Sequence, residues 1–259
     1  MRTRLNHIRV ITAAALRESV RRKDLYVALL LAAFAMGVEL AFIRIGLPGL
    51  TTLLRDMTLT VVNILATMGC IILAARQLPE EISRRTLYPL LARPIRRTDV
   101  LLGKFLAVWL LSGLLLGALA GGAWLYLRAL GMGYGPIFWQ YVLLRLLSFG
   151  VISALVMTLS LLTTPGATIL LGAMLTLGAT FFAQSIVLGY PAAGRGLQFV
   201  LQWIYYAAPH LDLLDLSRKT AYNWPPLSAG VILTLAGYAL AYAGVFLALG
   251  AYRFRKMAI

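Results

Sequence analysis

Residues 100–127 read VLLGKFLAVWLLSGLLLGALAGGAWLYL, a run in which Lys104 is the one charged side chain. A soluble helix of this length would alternate an apolar stripe with a charged face. This one is apolar all round. The hydrocarbon core of a bilayer takes about 20 such residues as a helix, and only a helix satisfies its own backbone there without an edge. Working outward, five more stretches qualify: Leu25–Gly46, broken by Glu39 and Arg44, then Met57–Ala75, Tyr141–Leu162, Gly166–Leu188 and Leu227–Tyr252. The expected fold is all-α: a polytopic membrane protein of six transmembrane helices forming one domain over residues 1–259. Composition agrees, with 61% hydrophobic and 13% charged residues against roughly 25% charged in soluble domains.

A net charge of +15 raises the question of nucleic acid, and the placement of the charge answers it. Seven Lys and Arg lie in residues 1–24, seven in 76–104 and three in 253–256, each group beside an apolar run. Basic clusters flanking spans mark the cytoplasmic side, so no nucleic-acid partner is expected. Six crossings put both termini on that side, in the cell's inner (plasma) membrane. The outer segments 47–56, 128–140 and 189–226 hold only Arg55, Arg128, Arg195, Arg218 and Lys219. Arg44 and Arg145 are placed near outer helix ends, where long side chains snorkel to the headgroups. The N-terminus does not read as a signal peptide, because its charged region runs to Asp24 and a long apolar stretch follows.

Residues 1–24 form an expected amphipathic interfacial helix, with Leu5, Ile8, Ile11, Ala15 and Leu16 opposed to Arg9, Arg17, Arg21 and Arg22. A plain topology anchor is the simpler reading of the same residues. Thr163–Gly166 is short enough to close a helical hairpin, with Thr164 as N-cap and Pro165 in the first turn. The outer segment 189–226 is too long for an idle turn. One or two short outer helices, re-entrant or interfacial, are expected there, with Trp203, Tyr205, Tyr206, Tyr222 and Trp224 at headgroup level. Gly113, Gly117 and Gly121 recur every fourth residue, and Gly230, Gly237 and Gly244 every seventh. Small residues on one face let helices approach closely, either inside the monomer or at a dimer seam. Glu39 is the only acid well inside a span, and Gln184 is a polar residue of the fifth. They are candidates for a translocation path, Glu39 alternatively for pairing with Arg44 or Arg145.

The stretch 76–104, RQLPEEISRRTLYPLLARPIRRTDVLLGK, lies between the second and third spans on the expected cytoplasmic side. Pro79 starts a helix whose N-terminus favours Glu80 and Glu81; Arg84 and Arg85 follow. Leu87, Leu90 and Leu91 give an apolar face, and Pro94 ends it. A helix this polar needs water or a protein partner. The pattern Glu80-Glu81, Thr86-Leu87, Leu90-Leu91, Pro94-Ile95, Arg96-Arg97 and Leu101-Leu102-Gly103-Lys104 resembles the signature of type-2 (ABC-2) ABC exporter permeases. It is closest in style to the permeases of copper-enzyme maturation. The family often has Gly where Arg85 stands here.

That resemblance implies a permease domain whose segment 76–99 is a coupling helix. It would be seated through Glu80, Glu81, Arg84, Thr86, Leu87, Leu90, Leu91 and Pro94 in a separate ABC ATPase (nucleotide-binding) subunit. It also implies a second permease copy or paralogue, membrane lipids as surroundings, and alternating access that moves a substrate out of the cytoplasm or inner leaflet. Either acid would pair with basic groups of the partner or of the N-terminal helix; the simpler reading is that both cap the helix in water. The chain is expected to be no enzyme and to hold no cofactor, ATP and Mg belonging to the partner. No G-x-x-x-x-G-K-[ST] loop occurs, and Gly103-Lys104 is followed by Phe105. A metal site is not expected either. Cys70 stands alone, His7 and His210 are the only histidines, and Asp212 and Asp215 beside His210 do not close a ligand set. The rival readings are a membrane-embedded enzyme, which needs a nucleophile and base at one depth, and a non-transport membrane assembly protein.

Overall fold

The computed structural model describes residues 9–16, 23–43, 50–83, 97–189, 198 and 209–256, and every regular element among them is helical. In chain order these are α1 (residues 9–16), α2 (Lys23–Ile43), α3 (Leu50–Gln77), α4 (Pro79–Ser83), α5 (Arg97–Ala129), α6 (Ile137–Ser160), α7 (Pro165–Gly189), a 3-10 turn (Leu211–Leu214), α8 (Ser217–Ala221) and α9 (Ala229–Lys256). Among the described residues four helices are long and apolar enough to cross a membrane: Thr51–Glu81, Arg97–Ala129, Ile137–Ser160 and Ala229–Lys256. The first of these carries α3 through Leu78 into α4. α2 and α7 are also helices, of 21 and 25 residues.

α3, α5 and α6 pack on one another at the centre, α9 lies mainly against α6, and α2 and α7 pack on the outside of this trio. Helical periodicity explains which face turns inward. Along α5, Val100, Lys104, Ala107, Val108, Leu111, Leu115, Leu119 and Ala123 are buried at three- and four-residue steps, while Leu102, Leu110, Leu114 and Leu125 point away from the protein. An outward leucine is at home in lipid, where inside and outside differ in packing rather than polarity.

The hairpin expected at Thr163–Gly166 is present: α6 ends at Ser160, α7 starts at Pro165, and Gly172 of α7 lies against Val156 of α6. Thr163 and Thr168 join hydroxyls across the turn at 2.7 Å, and the Thr164 carbonyl accepts from the Thr168 amide at 2.8 Å.

Polar ties close the bundle at both ends. At one, called distal below, Arg55 donates to the carbonyls of Met132 and Gly133 at 3.0 and 2.7 Å. The tight turn that presents them needs Gly131 at φ 73°, a region that costs residues with a Cβ. Nearby, the Asn223 side chain accepts from the Gly135 amide at 2.9 Å, and Gln140 exchanges two bonds with Leu227. Within residues 189–226, where one or two short outer helices were expected, a 3-10 turn (Leu211–Leu214) and α8 (Ser217–Ala221) are found, and Leu211, Leu214, Leu216 and Ala221 are buried against the bundle. The opposite, basal end holds Arg76, Arg97, Lys104, Arg253, Arg255 and Lys256, the described members of the 76–104 and 253–256 clusters.

Candidate functional site

The described parts of the segment singled out in the sequence, α4 and the head of α5, lie at the basal end. Pro79 has no amide hydrogen to continue the ladder of α3, so the helix restarts there as α4 with Glu80 and Glu81 in its first turn. The Glu81 carboxylate forms an ion pair with the Lys104 ammonium of α5. Lys104 is only 2% exposed. Its neighbour Gly103 accepts a hydrogen bond from Thr12 of α1 at 3.0 Å. At the head of α5, Arg97 donates to the carbonyls of Phe254 and Arg255 at 3.1 and 3.4 Å. These belong to the last turn of α9, whose carbonyls lack helical partners and attract a cation.

α1, α4 and α9 are therefore each tied to the first turns of α5. The Glu81–Lys104 pair joins the two elements that flank residues 84–96, with Lys104 buried and Glu81 partly exposed. Glu81 thus has a partner on α5 of its own chain. Arg84, Thr86, Leu87, Leu90, Leu91 and Pro94 lie outside the described residues. Sequence reading noted Lys104 only as part of a motif; a lone lysine inside an apolar run, beside a paired acid across a short segment, was the available signal.

The second polar locus lies deeper. Arg145 is 6% exposed, and α6 begins eight residues before it, a depth of roughly 12 Å. The expectation that Arg145 snorkels to the headgroups is corrected: its guanidinium turns into the bundle. There it donates to Thr67 of α3 at 2.7 Å, faces Asp215 at 3.6 Å, and lies over the Phe149 ring, 5.6 Å from its centroid. Tyr141 donates to Asn63 at 2.7 Å, and the Asn63 amide reaches both Asp215 oxygens at 3.4 Å. Asp215 also caps the Ser217 amide at 2.9 Å. One network thus joins α3, α6 and the short helices after residue 209.

Sequence reading grouped Asp215 with His210 and Asp212. The structure assigns it to Arg145, because the segment folds back over the bundle. Glu39 and Gln184 fall in α2 and α7, and their side chains lie outside the described residues. Asn63, a polar side chain in the middle of an apolar run, was the overlooked signal.

The glycines separate into two groups. A Cβ at Gly113 would meet Leu146 of α6 at 2.8 Å, whereas at Gly117, Gly121, Gly230, Gly237 and Gly244 nothing lies within 4 Å among the described residues. Helix approach within the monomer is instead made by Gly69 against Leu115, Gly172 against Val156 and Ile71, and Gly250 against Thr158.

Residues 12–259 match the family model described as ABC-2 family transporter protein. A comparison with curated proteins finds no match.

Proposed function

From the membership of this chain in the ABC-2 transporter family, as a multi-pass membrane permease component of an ABC transporter, we propose that it exports a substrate by coupling to a separate ATPase. The observation that carries this reading is the buried Glu81–Lys104 pair. It fixes both roots of segment 84–96 to the bundle, as a part that receives a push must be fixed. ATP-driven closure of two ATPase subunits would press on the coupling helices of two permease copies, or of a copy and a paralogue.

The basal end is cytoplasmic in this reading, since positive residues flanking spans stay on that side, and the basic clusters gather there. α2 and α7 complete six crossings: both are apolar helices, and the hairpin from α6 to α7 returns the chain to the distal end. The copy moves its substrate from the cytoplasm or the inner leaflet outward as the helices clasped at Lys104 tilt together. Leu87, Leu90 and Leu91 supply the apolar face toward the ATPase, with Glu80, Arg84, Thr86 and Pro94 setting its ends.

Co-purification of the tagged chain from native membranes in mild detergent tests this. The wild type brings down a P-loop ATPase. Leu87→Asp plus Leu90→Asp lowers its recovery at least about ten-fold, the equivalent of about 1.4 kcal/mol, with membrane abundance retained. An undiminished complex refutes the coupling role.

A further inference from the structure

The Arg145 network is unused by the coupling reading, and its bonding is lopsided. A guanidinium offers five N–H donors. Here one nitrogen binds Thr67 at 2.7 Å, Asp215 stands off at 3.6 Å, and Nε is buried without a hydrogen-bond partner among the described residues. Ser148, one turn along the same helix face, is fully buried, and its hydroxyl is likewise unpartnered among the described residues. Asp215 directs its short bond elsewhere, to the Ser217 amide at 2.9 Å. It is also the more accessible member, its side chain 29% exposed against 8% for Arg145.

The cation is therefore inside and under-bonded, while the acid stands at the rim and is only loosely engaged. A charged side chain at this depth is costly and marks a functional position. What the site lacks is an acceptor: two buried donors of one helix, Nε–H and a hydroxyl, accompany a cation whose counter-ion is too distant for a hydrogen bond. Arginine is the side chain best shaped to take phosphate or carboxylate through two N–H groups. The geometry points to an anion-binding site centred on Arg145, with Ser148 and Thr67 as further hydroxyls, in which the phosphate or carboxylate group of a ligand displaces Asp215. The direction of any transport through it rests on the exporter reading; the site itself does not.

Asp215 is then an internal competitor, and that fixes the test. The purified full chain, in nanodiscs of zwitterionic lipid, is followed by thermal unfolding while dihexanoyl phosphatidic acid, dihexanoyl phosphatidylcholine or inorganic phosphate is added. Phosphatidic acid is expected to raise the melting temperature of the wild type. In Asp215→Asn it acts at about ten-fold lower concentration, although that variant starts from a lower melting temperature, and in Arg145→Gln its effect falls to that of phosphatidylcholine. Binding of anionic lipid to the basal basic clusters is common to all three proteins and cancels in the comparison.

A response to inorganic phosphate alone supports a site for the free anion; a response confined to the lipid supports a headgroup site. An Arg145→Gln protein that keeps the full anionic response overturns the proposal. So does Asp215→Asn responding no better than wild type, which also decides the matter if Arg145→Gln does not fold. A plain structural ion pair would lower both variants' stability and leave the ligand response alone. Since the readout needs neither ATP nor transport, its failure leaves the coupling reading standing, and the reverse holds as well.

Discussion

Glu81→Ala is expected to lower the stability of the detergent-solubilised protein by about 3 kcal/mol, the lower end of the range for breaking a buried ion pair. The cost falls on Lys104, which is 2% exposed and would keep its charge with no carboxylate beside it. The lower end applies because Glu81 itself retains 23% exposure, so part of the pair is already screened by water. Replacing both members with apolar residues of similar length, Glu81→Leu plus Lys104→Met, removes the charge together with its partner. Such exchanges are often neutral, and the double variant is expected to return to within about 1 kcal/mol of wild type. Thermal unfolding of the singles and the double checks this. Independent, additive losses would show that the two side chains do not form a unit.

The second large effect is steric. Gly172 of α7 faces two β-branched side chains, Val156 of α6 at 3.0 Å and Ile71 of α3 at 3.1 Å from where a Cβ would stand. Neither can turn aside freely, because branching at Cβ restricts χ1. Gly172→Leu must therefore push α7 away from two helices, and a loss of about 3 kcal/mol is expected, the upper part of the usual range for overpacking. Gly117→Leu and Gly244→Leu are the controls. Both sit where nothing described lies within 4 Å, and leaving glycine inside a helix gains up to about 1 kcal/mol. Unfolding temperatures of the three variants measured side by side give the answer. Equal losses at all three positions would contradict the packing described.

These two cases show where sequence reading stops. Gly113, Gly117 and Gly121 share one spacing, yet only Gly113 has a neighbour at close range; Gly172 belongs to no repeat and faces two helices, at 3.0 and 3.1 Å. Periodicity states which face a residue lies on. It does not state whether another helix lies against that face, and in a membrane an unpartnered face is as apolar as a packed one.

Arg145 illustrates the same limit for charge. Its position within a few turns of a helix end was legible, but its partner, Asp215, is 70 residues further on and arrives only because the segment after residue 209 folds back onto α3 and α6. Glu81 and Lys104 were both visible in the quoted motif, and the sequence left either acid to a partner chain, to the N-terminal helix or to capping its own helix in water. That Glu81 of α4 meets Lys104 of α5 was not legible, because it depends on how α4 turns after the break at Pro79.

By itself the sequence determined the solvent and the periodicity: long apolar runs have no stable place but a bilayer, where each must become a helix, and the clustering of basic residues beside three of them fixes which ends belong together. Only the tertiary structure decided which polar side chains meet, because burying a charge is tolerable only opposite a particular donor or acceptor, and that pairing depends on helix rotation and chain return, which hydropathy does not encode.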